Sequence, residues 1–175
     1  MPIFIKALSL AMHAYPVLNA SISSDSTSVV YHGSHNIGVA MDTGKGLVVP
    51  NIKDCQDKSI FEIAAELNRL QRDGSNGGIK TADLADTTFT LSNIGAIGGT
   101  YMVPVIAAPQ VAVAALGKIQ ELPRFGDDGE IERALIMPVS FAGDHRIVDG
   151  ATMARFSNDW KDMLEHPATM IASMR

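Results

Sequence analysis

Leu135-Ile136-Met137-Pro138-Val139-Ser140-Phe141, then Asp144-His145-Arg146-Ile147-Val148-Asp149-Gly150, is the stretch on which the fold turns. The first run is almost wholly apolar and reads as one buried strand. Gly150 to Leu164 reads as a helix with its apolar residues on one face. Between them, four ionisable side chains crowd a strand-to-helix turn, the kind of place where a rigid scaffold presents functional residues. Packing two apolar elements around Asp144, Arg146 and Asp149 requires partners for them, because unpaired buried charge costs several kcal/mol. His145 stands among them, and imidazole is the side chain whose ordinary titration straddles neutral pH.

Upstream, Ile3, Phe4, Leu8, Leu10, Met12 and Tyr15 predict a mostly buried helix over residues 3–15, ended by Pro16. Residues 17–22, 29–32, 36–41 and 47–52 are short β-rich runs between Ser, Asp and Gly turns, and their spacing predicts an antiparallel meander. Ser59 and Glu62 form a capping-box pattern for a helix to about Arg72, with Ile60, Ile63, Ala64, Leu67 and Leu70 on one face. Asp73 to Gly78 reads as a flexible loop. Thr87–Asn93 and Val111–Ile119 are further β runs, bracketing the glycines at 95, 98 and 99. The fold class expected is mixed α/β (α+β, two layers), with a largely antiparallel sheet flanked by helices.

The 175 residues, 46% of them apolar, are enough for one core, and a single domain is expected over 1–175. A net charge of −5 without a dense Lys/Arg run argues against nucleic acid or an anionic membrane surface as partner. No apolar stretch approaches the roughly 18 residues needed to span a bilayer. The chain reads as soluble, inside a cell or organelle. One cysteine, Cys55, excludes an internal disulfide and a multi-thiolate zinc site. No reactive context surrounds it as a nucleophile.

Other chemistries fit less well. His145 and Asp149 are four apart, but a turn rather than a helix lies between them and no third metal ligand is signposted; no metal is expected. His32 and His35 are three apart, which on a strand sends them to opposite faces. Ser92, in Phe89-Thr90-Leu91-Ser92-Asn93-Ile94-Gly95, does not sit in the Gly-x-Ser-x-Gly elbow of a hydrolase. It fits better as a hydroxyl donor to a developing oxyanion at a strand end, against the alternative of a serine that merely bonds its own backbone. Gly95-x-x-Gly98-Gly99 matches neither the dinucleotide nor the phosphate-loop pattern.

Taken together, Asp144-His145-Arg146-Ile147-Val148-Asp149-Gly150 resembles the His-x-x-x-Asp-Gly signature of the E2 acyltransferases of 2-oxo acid dehydrogenase complexes, shared more distantly with chloramphenicol acetyltransferase. Asn36 to Asp42 with Gly46 to Ile52, and Phe89 to Gly95 with Ile97 to Thr100, resemble the same family in the same order. Residues 67–71, 122–125, 150–158 and 160–161 are most similar to its branched-chain members.

The resemblance implies a chloramphenicol acetyltransferase-like fold and transfer of a branched acyl group between dihydrolipoamide and coenzyme A. His145 would be the base, Ser92 the oxyanion donor, and Asp149 an active-site residue that holds the turn and the His145 ring by pairing with an arginine. Asp42, Gln71, Ser92, Asn93, Gly117 and Ile119 would contact coenzyme A. His145 and Ser92 would come from neighbouring subunits of a homotrimer that assembles into a cubic core. The lipoyl group would be supplied by a separate lipoyl domain, and the E1 and E3 components would be indirect partners. The compartment implied is the mitochondrial matrix in a eukaryote and the cytoplasm in a bacterium. Against the family pattern, the chain is expected to lack the first segment of the catalytic domain, as well as lipoyl and subunit-binding domains. Two rivals remain: a non-catalytic E2-like scaffold, and an acetyl- or succinyl-transferring enzyme.

Overall fold

The computed structural model describes residues 1–44 and 46–174. Helix α1 (Pro2–Ala14) begins with proline at its first position, where the missing N–H costs no hydrogen bond. Ile5, Ala7, Leu8, Ala11 and Met12 are all buried, since α1 is later flanked on two sides by helices. After a 3-10 turn (Pro16–Asn19) come β1 (Ala20–Ile22), β2 (Val29–Tyr31), β3 (Ile37–Val39), β4 (Met41–Thr43), β5 (Gly46–Val48) and β6 (Asn51–Ile52). Helix α2 (Ile60–Ser75) carries the expected capping box, Ser59 and Glu62 each bonding the other's backbone N–H. The short α3 (Thr81–Leu84) leads into β7 (Phe89–Asn93), β8 (Ala112–Leu116), β9 (Gln120–Phe125), β10 (Ile131–Ile136), β11 (Val139–Gly143), α4 (Gly150–Glu165) and α5 (Pro167–Ser173).

The main sheet has five strands in the order β11-β8-β7-β3-β6. Its centre is parallel, β3 beside β7 and β7 beside β8, and its two edges are antiparallel. Ile37, Phe89, Leu91, Ala112, Ala114 and Leu116 point to one face and join the apolar sides of α1, α2 and α4 in a single core. The alternate residues Thr90, Ser92 and Val113 point to the other face. On α4, Phe156 meets Phe141 and Tyr15 edge-on, and Trp160 donates its indole N–H to the Phe4 carbonyl at 3.1 Å. Truncating either ring to alanine removes on the order of 3–5 kcal/mol of packing.

Three local expectations are corrected, and one element is added. The runs between 17 and 52 do not make one meander. They separate into the β1–β2 and β4–β5 ribbons and the β3–β6 pair, because β3 takes β7, beyond α2, as its parallel partner. That pairing buries β3 on both sides, as a central parallel strand is buried. Residues 135–141 form two strands, not one: the chain breaks at Met137-Pro138, where proline has no N–H to donate and its carbonyl instead accepts from Gly117 N at 2.8 Å. Asp73, Gly74 and Ser75 belong to α2, held there by Arg69, which bonds Asp73 at 3.0 Å, Glu66 at 2.6 Å and Asp83 of α3 at 2.7 Å. Finally, the sequence reading missed the β9–β10 hairpin, whose strands carry Pro123 and several charges.

Candidate active site

His145 follows β11 on a braced turn. Asp144 N–H donates to the Val111 carbonyl at 2.8 Å, and the Asp144 carbonyl accepts from Ile147 N and Val148 N. The Asp144 carboxylate takes Arg146 in a two-point ion pair, Nε at 2.9 Å and Nη2 at 2.6 Å, as well as the Arg146 backbone N–H at 3.1 Å. That guanidinium holds the Asp144 carboxyl below the usual carboxylate range. Val148 is buried in the core and anchors the turn from beneath. The backbone around His145 is therefore fixed, while its ring is exposed and has no hydrogen-bond partner among the described residues.

Among the described residues Asp149 forms no ion pair with an arginine, the contact expected for it. Arg146 is taken by Asp144, and Asp149 instead caps α4: its Oδ1 accepts from Thr152 N and its Oδ2 from the Thr152 hydroxyl, both at 2.8 Å. The Thr152 backbone N–H, then its hydroxyl, hold the Asp149 carboxyl below the usual range. Asp149 thus sets where the helix begins and where the turn ends.

Ser92 sits near the end of β7, half-buried, and its hydroxyl has no hydrogen-bond partner among the described residues. It is not consumed in capping its own strand. It lines a largely apolar cavity of about 750 Å³ with Leu47, Val49, Leu84, Val103 and Val105. Thr90 and Gln110, which sequence reasoning did not single out, line it too. Thr90 could have been found, being two residues before Ser92 on the same face of a strand. Gln110 lies in an irregular segment with no pattern to mark it.

The strand register separates the two candidate catalytic side chains. Ser92 pairs with Ala115, whereas Gly143 pairs with Ala112, three residues away along β8, or about 10 Å. His145 lies farther still in the same direction. One chain does not bring this histidine and this serine together.

The candidate coenzyme A residues gather mainly at the other end of the sheet. Asn93 ends β7, Gly117 and Ile119 follow β8, and Asp42 lies in β4 just beyond β3. These are the carboxyl ends of three adjacent parallel strands, where open α/β sheets commonly bind ligands. Asn93 Oδ1 accepts from Ala96 N at 3.3 Å, and Gly99 accepts from Lys118 N at 2.8 Å, so the glycine-bearing turn is tied down on Gly117. Both glycines at this crossing are needed for space. A Cβ on Gly95 would meet the Gly117 carbonyl carbon at 2.6 Å, and one on Gly117 would collide with the Thr100 carbonyl. Gln71 is exposed on the C-terminal half of α2, the helix that packs on β4. Ile119 is also exposed.

The remaining polar candidates are structural. Cys55 is fully buried and burial pushes its thiol up to about 12, which removes it as a nucleophile at neutral pH. His32 bonds the Ser21 hydroxyl and His35 the Ser9 hydroxyl. Among the described residues no group of three or more His, Cys, Asp or Glu side chains could hold a metal ion.

Comparison with known proteins places this arrangement. The sequence pattern of the 2-oxoacid dehydrogenases acyltransferase (catalytic domain) family matches residues 1–172. The lipoamide acyltransferase component of the mitochondrial branched-chain alpha-keto acid dehydrogenase complex of Bos taurus is 57% identical over all 175 residues, which span 36% of that protein. The corresponding Caenorhabditis elegans protein is also 57% identical over the whole chain and 39% of its own length. The chain thus spans little more than a third of the curated relatives it matches. Among solved structures, the cubic core of a pyruvate dehydrogenase multienzyme complex superposes with a TM-score of 0.92 at 30% identity, over 97% of this chain and 70% of that one. So does the dihydrolipoamide acetyltransferase of Azotobacter vinelandii, at 0.92 and 29%, over the same shares; a serine, a histidine and an asparagine have been investigated in its catalytic mechanism. Chloramphenicol acetyltransferase shares the fold, with a TM-score of 0.54 at 17% identity over 93% of this chain and 72% of that one. With its turn, its strand order and nearly its whole length matched, the chain belongs to the catalytic-domain family of the 2-oxoacid dehydrogenase acyltransferases.

Proposed function

We propose that the chain transfers a branched acyl group, of the 2-methylpropanoyl type, between a dihydrolipoyl thiol and the thiol of coenzyme A, as the core of a branched-chain 2-oxo acid dehydrogenase complex. The observation that carries the reading is the pair of unbonded groups on fixed backbone, the His145 ring on its braced turn and the Ser92 hydroxyl in the cavity wall. A thiol of ordinary pKa is only a few per cent thiolate at neutral pH, so a positioned base raises its reactivity. His145 takes the coenzyme A thiol proton as its sulfur attacks the thioester carbonyl. The Ser92 hydroxyl donates to the oxyanion that forms. As the carbonyl re-forms, the dihydrolipoyl sulfur leaves and recovers the proton from the imidazolium. No acyl-enzyme is needed, and Cys55 has no part.

The separation of His145 from Ser92 along β8 supports a site shared between neighbouring copies, in a homotrimer that builds a cubic core. Asp42, Gln71, Asn93, Gly117 and Ile119 would hold coenzyme A at the carboxyl ends of the parallel strands. The lipoyl arm would come from a separate lipoyl domain and link the core to E1 and E3 components. The compartment would be the mitochondrial matrix in a eukaryote or the cytoplasm in a bacterium. Offering isobutyryl-, acetyl- and succinyl-coenzyme A to free dihydrolipoamide tests the reading. Fastest transfer from the isobutyryl donor is expected. Preference for acetyl or succinyl would reassign the substrate, and no transfer by a chain assembled as a trimer or larger would favour a scaffold.

A further inference from the structure

The cavity beside Ser92 contains a second oriented polar group. Gln110 lines it, and also borders the small pocket lined by Asp144 and Arg146 on the His145 turn. The hydroxyl of Thr90, itself buried, donates to Gln110 Oε1 at 2.7 Å. With its oxygen occupied, the Gln110 amide presents two N–H donors that have no partner among the described residues. Val103, Val105, Pro109 and Val113 form the wall around it. Donors fixed in an apolar wall favour a carbonyl acceptor, because any ligand without one leaves them unpaired when it excludes water.

We propose that Gln110 binds the amide carbonyl of the dihydrolipoyl arm and that Thr90 is its positioning residue. This rests on the acyl-transfer reading. The register indicates which substrate it meets. Asn93, Gly117 and Ile119 lie at the carboxyl ends of β7 and β8, whereas Gln110 precedes β8 at its amino end. Coenzyme A held at the first end leaves Gln110 to the substrate that arrives from the other.

Length agrees. Thr90 and Ser92 are alternate residues on one strand face, about 7 Å apart, and the Gln110 amide extends beyond Thr90. In the arm, about eight bonds separate the terminal sulfur from the amide carbonyl, on the order of 10 Å when extended. A sulfur reacting at Ser92 therefore leaves the arm's carbonyl beside Gln110.

The test compares two acyl acceptors on the full chain, dihydrolipoamide and propanedithiol, which has no carbonyl. Gln110→Met should raise KM for dihydrolipoamide about tenfold, the effect of one hydrogen bond and its unpaired partner. KM for the acyl-coenzyme A donor and kcat/KM with propanedithiol should not move. Gln110→Glu, which keeps the shape but replaces the donors by a carboxylate, should lose more with dihydrolipoamide and nothing with propanedithiol. Thr90→Val should show a smaller loss of the same kind, and Thr90→Ser should restore it. Equal losses with both dithiols, or no loss with either, would overturn the assignment. A parent chain that transfers to neither dithiol would overturn the acyl-transfer reading itself, and is told apart because the unmodified chain is then inactive.

Discussion

Two histidines of this chain occupy opposite environments. His35 is 5% exposed and surrounded: its Nδ1 faces the Ser9 hydroxyl at 2.8 Å, its ring lies 4.9 Å from His13, and its backbone N–H donates to Gln56 Oε1. Nearby, Lys6 gives its ammonium to the Cys55 and Gln56 carbonyls. Burial above all, then the electrostatic influence of His13 and Lys6, lower His35 to about 4, against the opposing pull of Asp57. It stays neutral near pH 7 and serves the packing of α1. At His145 the partners are given to the backbone instead: Asp144, Arg146 and Val148 fix the turn and leave the ring unbonded. A histidine that is buried and bonded to its neighbours is a structural part. One whose surroundings are satisfied while it is not is available for chemistry.

Substitution should separate the two roles. His145→Ala should lower the acyl-transfer rate by on the order of 10²- to 10⁴-fold while hardly moving the melting temperature; a rate within tenfold of the parent would remove the base assignment. Ser92→Ala should lower turnover by about 10²- to 10³-fold with coenzyme A affinity little changed, and an unaltered turnover would return Ser92 to a merely structural role.

His35 should appear in stability instead. Its pKa in the folded state, about 4, is below the ordinary 6.5, so the unfolded chain takes up the proton first as pH falls. The stabilisation is complete above about pH 6.5 and is lost as pH falls towards 4, by roughly 3 kcal/mol for this group. Urea midpoints measured at several pH values should show the loss, and His35→Gln should flatten it; an unchanged slope would mean that other groups cause it. The smallest effect belongs to Asp149. Replacing it with alanine removes the cap of α4 and should lower the melting temperature by about 2–4 °C. The accompanying fall in activity should be smaller than that of His145→Ala. A larger one would give Asp149 a direct part in the chemistry.

Much of the fold was legible from local pattern. Helices α1, α2 and α4 were readable because their apolar periodicity and end signals agree: Pro16 closing α1, the Ser59 box, and the turn before Gly150. The misreadings came where a distant contact overrode a local signal. Asp73-Gly74 reads as a loop until Arg69 draws Asp73 into the helix. β3 reads as part of a hairpin series until β7, beyond α2, becomes its partner. Asp149 reads as a partner for arginine until Asp144 takes Arg146 and Thr152 takes Asp149.

The candidate site divides the same way. The sequence by itself determined which side chains are candidates for chemistry, because the spacing of His145 and Asp149 on a strand-to-helix turn, and of Ser92 before a glycine turn, is local and needs no partner to be seen. Only the tertiary structure decided where those side chains stand. The register of β7, β8 and β11 puts His145 and Ser92 beside opposite ends of β8. The packing of residues 102–110 over the sheet brings Gln110 to Thr90. Strand register and the closing of irregular segments depend on hydrogen bonds and contacts between residues far apart in the chain, and local periodicity carries no information about them.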